Sequence, residues 1–194
     1  ISALVGVVAV IFSTLVLKES KPSDAREPDG KSETMVKEIA QSFKKPYFIP
    51  LVITLVMSFG LLAYESVLGL FVDDQFAASP QDIAWMITAT GIVSVIIQVF
   101  VVDKVVRRFG EANVLRIFLG VAAFGFLLSI LISSYAFFFV ITMIIFLSTS
   151  ILRPVLTTLI SKLAGNEQGF AMGMNNAYMS IGNVLGPLLA GALY

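Results

Sequence analysis

The sequence predicts an all-α protein, a polytopic transmembrane helical bundle. Three observations carry that expectation. Of 194 residues, 57% are hydrophobic and only 13% are charged, against roughly 25% charged in soluble domains. A soluble fold of this size would leave much of that apolar surface facing water. Second, the apolar residues gather in runs that match the roughly 20 residues needed to cross a bilayer. Third, the basic residues fall in alternate connections between those runs.

Six spans follow in order. Residues 1–17 form the end of one. The chain opens on Ile1 inside an apolar run, without the basic start or small-residue cleavage site of a signal peptide. Further spans are expected at 47–72, 82–102, 112–132 and 135–160, and a last one at 168–194. Both chain ends are read as cuts within longer apolar runs. The domain organisation is therefore the end of one helix (1–17), a central loop (18–46) and a truncated helical bundle (47–194).

The central loop is polar. Its stretch 19–30 is rich in Pro, Asp and Ser and reads as disordered. Residues 33–45 fit a surface helix with Met35, Val36, Ile39 and Phe43 on one face. Glu33 suits the positive start of that helix and Lys44 and Lys45 its negative end, and Pro46 breaks it. A flexible tether is the alternative.

The connections fix an orientation. The 18–46 loop holds seven Lys/Arg, and 103–111 carries Lys104, Arg107 and Arg108, with Arg116 just inside the next span. The 161–167 connection carries Lys162. The intervening connections, 73–81 and 133–134, hold no basic residue, and the former carries Asp73 and Asp74. Twelve of the thirteen basic residues thus lie on one side, which the positive-inside rule makes cytoplasmic. Trp85 then falls near the outer interface, where an indole is favoured. A multi-pass protein of the cell membrane is expected, surrounded by lipid.

Several function classes drop out. Net charge is zero, which gives no basis for nucleic-acid binding. Cysteine and histidine are absent, so thiolate and imidazole metal sites are not available. No nucleotide-binding loop or nucleophile triad is present. Neither a catalytic site, a metal nor a bound cofactor is expected, and any proton chemistry must fall to carboxylates.

Polar residues in lipid turn inward. Thr54, Ser58, Glu65 and Gly69 share a face of the second span, and Thr88, Gly91, Ser94 and Gln98 share one on the third. Thr142, Thr149, Arg153 and Thr157 do so on the fifth, and Asn175, Asn176, Tyr178, Ser180 and Asn183 punctuate the sixth. The first and fourth spans have almost no such stripe and read as outer supports. Ser, Thr and Gly stripes also serve plain helix packing, so the sharper candidates are Glu65, Gln98 and Arg153.

Glu65 is the acid well inside a span, about seven residues or roughly 10 Å from the expected outer helix end. Burial favours the uncharged form of a carboxyl, so such a group can load and release a proton, and when ionised it can hold a cation. The competing reading is a side chain that snorkels to the outer surface. Arg153 is the basic residue well inside a span and precedes Pro154, a helix-kinking residue. It is a candidate to hold substrate, pair with a carboxylate or tune a proton site, unless its stem merely reaches the interface. Gly182, Gly186, Pro187 and Gly191 lie within one span and suggest a hinge or a tight contact between helices.

These motifs carry a resemblance. The run Asp103-Lys104-Val105-Val106-Arg107-Arg108 is similar to the loop signature of the major facilitator superfamily, with every charged position kept and both glycines replaced, by Val99 and Val106. Gly186-Pro187-Leu188-Leu189-Ala190-Gly191 resembles the antiporter Gly-Pro signature. The strings LVITLVMSFGLLAYES and RPVLTTLISKLAGNEQGFAMGMNNAYMSIGNVLGPLLAGALY resemble, more specifically, the multidrug efflux transporters of Gram-positive bacteria within that superfamily.

The resemblance implies that the spans are helices six to eleven of twelve, the missing N-terminal half being a partner. It implies that helices seven, eight, ten and eleven line or gate the path. It also implies a drug/proton antiporter that exports amphipathic, often cationic compounds by alternating access, driven by the proton gradient. The family's helix-seven acid falls on Glu65 and its helix-ten arginine on Arg153, as coupling residues. Its polar pocket positions fall on Gln98 and Asn175, with Phe59, Tyr64 and Tyr178 as aromatic cavity surfaces. Asp103, Lys104, Arg107 and Arg108 become a cytoplasmic gate. Relatives can carry a second acid three residues before the arginine, where this chain has Ser150. Two other functions fit less of the pattern: a transporter of a single metabolite, and a non-transporting membrane receptor or scaffold.

Overall fold

The computed structural model describes residues 35–194. The expected span 1–17 and the loop up to Thr34 lie outside the described residues. Seven α-helices follow one another: α1 (Met35–Ser42), α2 (Phe48–Phe76), α3 (Pro80–Phe100), α4 (Val102–Phe109), α5 (Glu111–Leu131), α6 (Tyr135–Ala164) and α7 (Gln168–Leu193). A single 3₁₀ turn, Gly165–Glu167, joins α6 to α7. No strand occurs among the described residues.

By length and composition, membrane spans are available at Phe48–Phe76, Pro80–Phe100, Glu111–Leu131 and Tyr135–Leu193, the last comprising both α6 and α7. Backbone groups in lipid must be satisfied within the segment, which is why these apolar runs become helices.

Two expected connections are helical. Residues 73–76, expected as loop, form the last turn of α2, so Asp73 and Asp74 are helical. Nothing in Asp73–Phe76 breaks a helix. Ala77, in the left-handed conformation at φ 48, ends it, and its N–H caps the Asp73 carbonyl. Glu65 therefore lies eleven residues before the helix end, about 16 Å along the axis. Helix α3 starts two residues early because Ser79 and Asp82 form a capping box with Pro80 in the first turn. The 103–111 connection is largely the helix α4. Val102, Val105 and Val106 pack inward, Asp103 occupies its first turn, and Arg107 and Arg108 its last. That charge order suits the helix dipole. Gly110 then stops it at φ +75, a conformation open to glycine at little cost.

The long helices run up and down, and their ends sort by charge. One end gathers α1, the start of α2 and the α6–α7 turn around Tyr47, Leu51, Ile160, Ala171 and Met174. There Lys45 donates to Glu167 at 2.5 Å, and Lys162 pairs with Glu111. The Glu167 hydrogen bond holds the Lys45 ammonium above its usual pKa. The other end packs Leu68, Val72, Met86 and Phe138 together, and the Tyr135 hydroxyl donates to the Asp82 carbonyl at 3.3 Å. Helix α5 packs mainly on α6 and exposes Phe124, Leu127, Ile130 and Leu131.

The most extensive pairing is α2 against α7. A Cβ on Gly182 would lie 2.6 Å from the Leu55 carbonyl oxygen, and one on Gly186 would lie 2.5 Å from that of Phe59. Both distances are far inside contact, so the backbones meet because these positions are glycine. Gly191 has open space around it, and α7 continues through Pro187. Within the described structure Gly182 and Gly186 thus form a close crossing. The Gly186→Val substitution should cost about 2 kcal/mol or more through forced helix separation. Its thermal unfolding midpoint in detergent should fall well below that of Gly191→Ala, which should match the unaltered protein.

Candidate functional site

Helix α2 carries the candidate residues because its faces meet three different neighbours. Glu65 borders a cleft of about 420 Å³ between α2, α3 and α6. Gly69 from its own helix, Thr90, Gly91 and Ser94 from α3, and Thr142 and Phe146 from α6 share that border. The side chain is exposed to the cleft, and among the described residues no cation lies within ion-pair distance of it. A carboxylate so placed has room for a hydrated or organic cation and a polar surround of hydroxyls.

Arg153 borders a second cavity, about 240 Å³, between α2, α6 and α7. Asn175 lines it and is buried, its Oδ1 accepting from Thr54 Oγ1 at 3.1 Å. Thr157, one turn after Arg153, donates to the Arg153 carbonyl at 3.0 Å. Arg153 and Asn175 are thus brought together. Glu65 and Arg153 are not: they border different cavities, each reached from a different stretch of α2.

The aromatic candidates separate. Tyr64 forms a 2.7 Å hydrogen bond between its hydroxyl and that of Thr142, and its ring meets Phe126 edge-on at 5.3 Å. It therefore braces the wall behind Glu65. Phe59 borders an apolar cavity of about 390 Å³ between α2, α5 and α6, with Val56, Leu119 and Phe126, away from the Glu65 cleft. Tyr178, expected as a cavity surface, is 4% exposed and sits in the core cluster with Tyr47 and Ala171. Its hydroxyl and that of Ser42 share a 2.8 Å hydrogen bond. Helical period turns it toward α1 rather than toward the face that holds Asn176. Gln98 is exposed one turn beyond Ser94 and borders neither polar cavity.

On α4, Asp103, Lys104, Arg107 and Arg108 are all exposed, opposite the valine face. Helical spacing sets Asp103 beside Arg107 and Lys104 beside Arg108, and Arg108 lies over the Phe109 ring at 5.7 Å. Met86 and Thr90 were missed by the stripe through Thr88. The i, i+4 series Met86, Thr90, Ser94 was the signal that marks the true cleft face.

The fold and its clefts define a multi-pass α-helical membrane protein whose interior polar residues open onto cavities between helices. The sequence pattern of the Major Facilitator Superfamily matches residues 52–194, and the chain belongs to that superfamily. Multidrug resistance protein 2 of Bacillus subtilis (strain 168) is 38% identical over 196 residues, covering all of this chain and 49% of the relative. Multidrug resistance protein 1 of the same strain is 39% identical over 193 residues, again with 49% of the relative covered. Quinolone resistance protein NorA of Staphylococcus aureus is 32% identical over 189 residues, 97% of this chain and 48% of the relative. The chain spans about half the length of the curated relatives it matches.

The Tyr64–Thr142 contact should register in a double-mutant cycle. Combining Tyr64→Phe with Thr142→Val should reveal a coupling of about 0.6 kcal/mol in unfolding stability, the average for hydrogen bonds between membrane helices, and no more than about 1.7 kcal/mol.

Proposed function

We propose that this chain is the C-terminal half of a proton-coupled multidrug exporter of the cell membrane. In this reading the described helices α2 to α7 contain helices seven to eleven of a twelve-helix transporter, and the basic connections face the cytoplasm. The observation that carries the reading is Glu65. It is an ionisable carboxyl far inside a spanning helix that borders a cleft with room for a small amphipathic molecule. That its relatives are multidrug and quinolone resistance proteins supports the same reading.

Protons and cationic drug compete for one charge. When the cleft opens outward, a proton on Glu65 releases a cation held there. When it opens inward, loss of that proton prepares the carboxylate for the next cation. Alternating access supplies the switch, as two bundles rock around the central path. Thr90, Ser94 and Thr142 offer hydroxyls to either form of the acid. The apolar walls accept varied hydrophobic bodies. Asp103, Lys104, Arg107 and Arg108 act at the cytoplasmic end, where their exposed face is free to meet the other half. Arg153 tunes the path from a separate cavity.

Inside-out membrane vesicles with an acidic lumen, carrying the complete protein, should accumulate a cationic dye. Glu65→Gln should cut the initial rate by about tenfold or more, while Glu65→Asp retains part of it. Undiminished accumulation in the Gln variant would remove Glu65 from the coupling step.

A further inference from the structure

Helix α5 turns an apolar face outward, where Ile117, Phe124 and Leu127 are exposed. On a membrane protein such a surface meets lipid. The same side of the helix carries a charge. Arg116 lies five residues after Glu111, about 7.5 Å along the axis, and is exposed. Helical period sets it above Leu127, eleven residues on. Among the described residues no carboxylate lies within ion-pair distance of Arg116. The nearest acid in the sequence, Glu111, is engaged by Lys162. An arginine so placed keeps its stem on apolar surface and raises its guanidinium to the headgroups. The chain just before it adds positive charge. Arg107 and Arg108 close α4, and Gly110 turns the chain into α5. Residues 107–116 hold three arginines and one glutamate, and Lys162 offsets that glutamate. Phe109 is exposed in the same corner, its ring 5.7 Å from the Arg108 guanidinium.

We propose that the corner between α4 and α5 binds an anionic phospholipid of the cytoplasmic leaflet. Arg116 holds the phosphate diester through paired N–H donors, a geometry that a guanidinium matches and an ammonium does not. Arg107 and Arg108 favour a headgroup with no cation of its own, because the ammonium of a zwitterionic lipid would meet their positive field. The acyl chains lie along Ile117, Phe124 and Leu127. The charge of the corner suits this end of the bundle, which the basic connections make cytoplasmic. The site goes beyond the transport reading, since it involves neither the Glu65 cleft nor the Arg153 cavity and its ligand is a resident of the membrane rather than cargo.

The test mixes the complete protein, in a nonionic detergent, with equal amounts of phosphatidylglycerol and phosphatidylcholine carrying the same oleoyl chains. Native mass spectrometry then counts the lipids retained. The unaltered protein should retain phosphatidylglycerol over phosphatidylcholine by about fivefold or more, the ratio expected from an arginine beside an anionic headgroup. Arg116→Gln should bring the ratio near one. Arg116→Lys should fall between the two, keeping the charge and losing the paired donors. Equal retention by the unaltered protein overturns the proposal, and this comparison needs no variant to fold. An undiminished preference in Arg116→Gln also overturns it, by leaving only the diffuse charge of the other basic residues. Release of phosphatidylglycerol by millimolar inorganic phosphate overturns it too, by making the corner a site for free anions. Because none of these measurements involves Glu65, the coupling step and the lipid site stand or fall separately.

Discussion

The close crossing of α2 and α7 at Gly182 and Gly186 is the constraint on which the rest of the bundle depends. Lipid supplies little hydrophobic drive for helices to associate, so their contact rests on van der Waals packing and interhelical hydrogen bonds. With backbone laid against backbone at Leu55, Phe59 and Ala63, the axial position and rotation of α2 become fixed relative to α7. That rotation decides which side chains of α2 meet α3, α5 and α6. Glu65 reaches the cleft with α3 and α6, and Phe59 faces α5. Thr54 and Ser58 face α6 and α7 across the Arg153 cavity. One contact, made possible by two missing methyl groups, thus distributes the polar residues of a single helix among separate chemical environments.

The separation of opposite charges follows from the same geometry. Had Glu65 and Arg153 shared a cavity, they would have formed an ion pair, and each would have lost its capacity to respond to a ligand. Held in different cavities, the two remain unpaired among the described residues. Unpaired charges inside a membrane protein carry a desolvation cost. Open clefts reduce it, which explains why both side chains are exposed rather than buried. Among the described residues the ion pairs that form, Lys45 with Glu167 and Lys162 with Glu111, lie at one end of the bundle and tie connections to helix ends.

Much of this was legible in the sequence because lipid imposes simple rules. Apolar runs of sufficient length had to be helices, and α2, α3, α5, α6 and α7 lie where the runs placed them. Element ends were less legible. Asp73 and Asp74 looked like loop residues because charge usually marks the end of a span, yet a helix can leave the hydrocarbon and continue. The helix α4 was hidden by its high charge, although its valines at 102, 105 and 106 hold a helical period. At the site, the presence of polar stripes was readable, whereas their direction was not. Tyr178 and Asn175 are three residues apart on α7 and both polar, but one is bonded to α1 and the other to α2. Sequence periodicity groups residues on a face without saying which neighbour that face will meet.

The hydrogen bond between Ser42 and Tyr178 has a mechanical consequence. Helix α1 is the part of the described chain that comes before the first spanning helix, yet it is fastened to the last one, with Ile39 packed into the same cluster. Tyr178 lies one turn from Met174 and Asn175, so α1 grips α7 close to the wall of the Arg153 cavity. The surface helix is thus fastened about one turn from that wall. Tyr47, Leu51 and Phe48 of the α2 end share that cluster, so α1, the start of α2 and the middle of α7 are held at one joint.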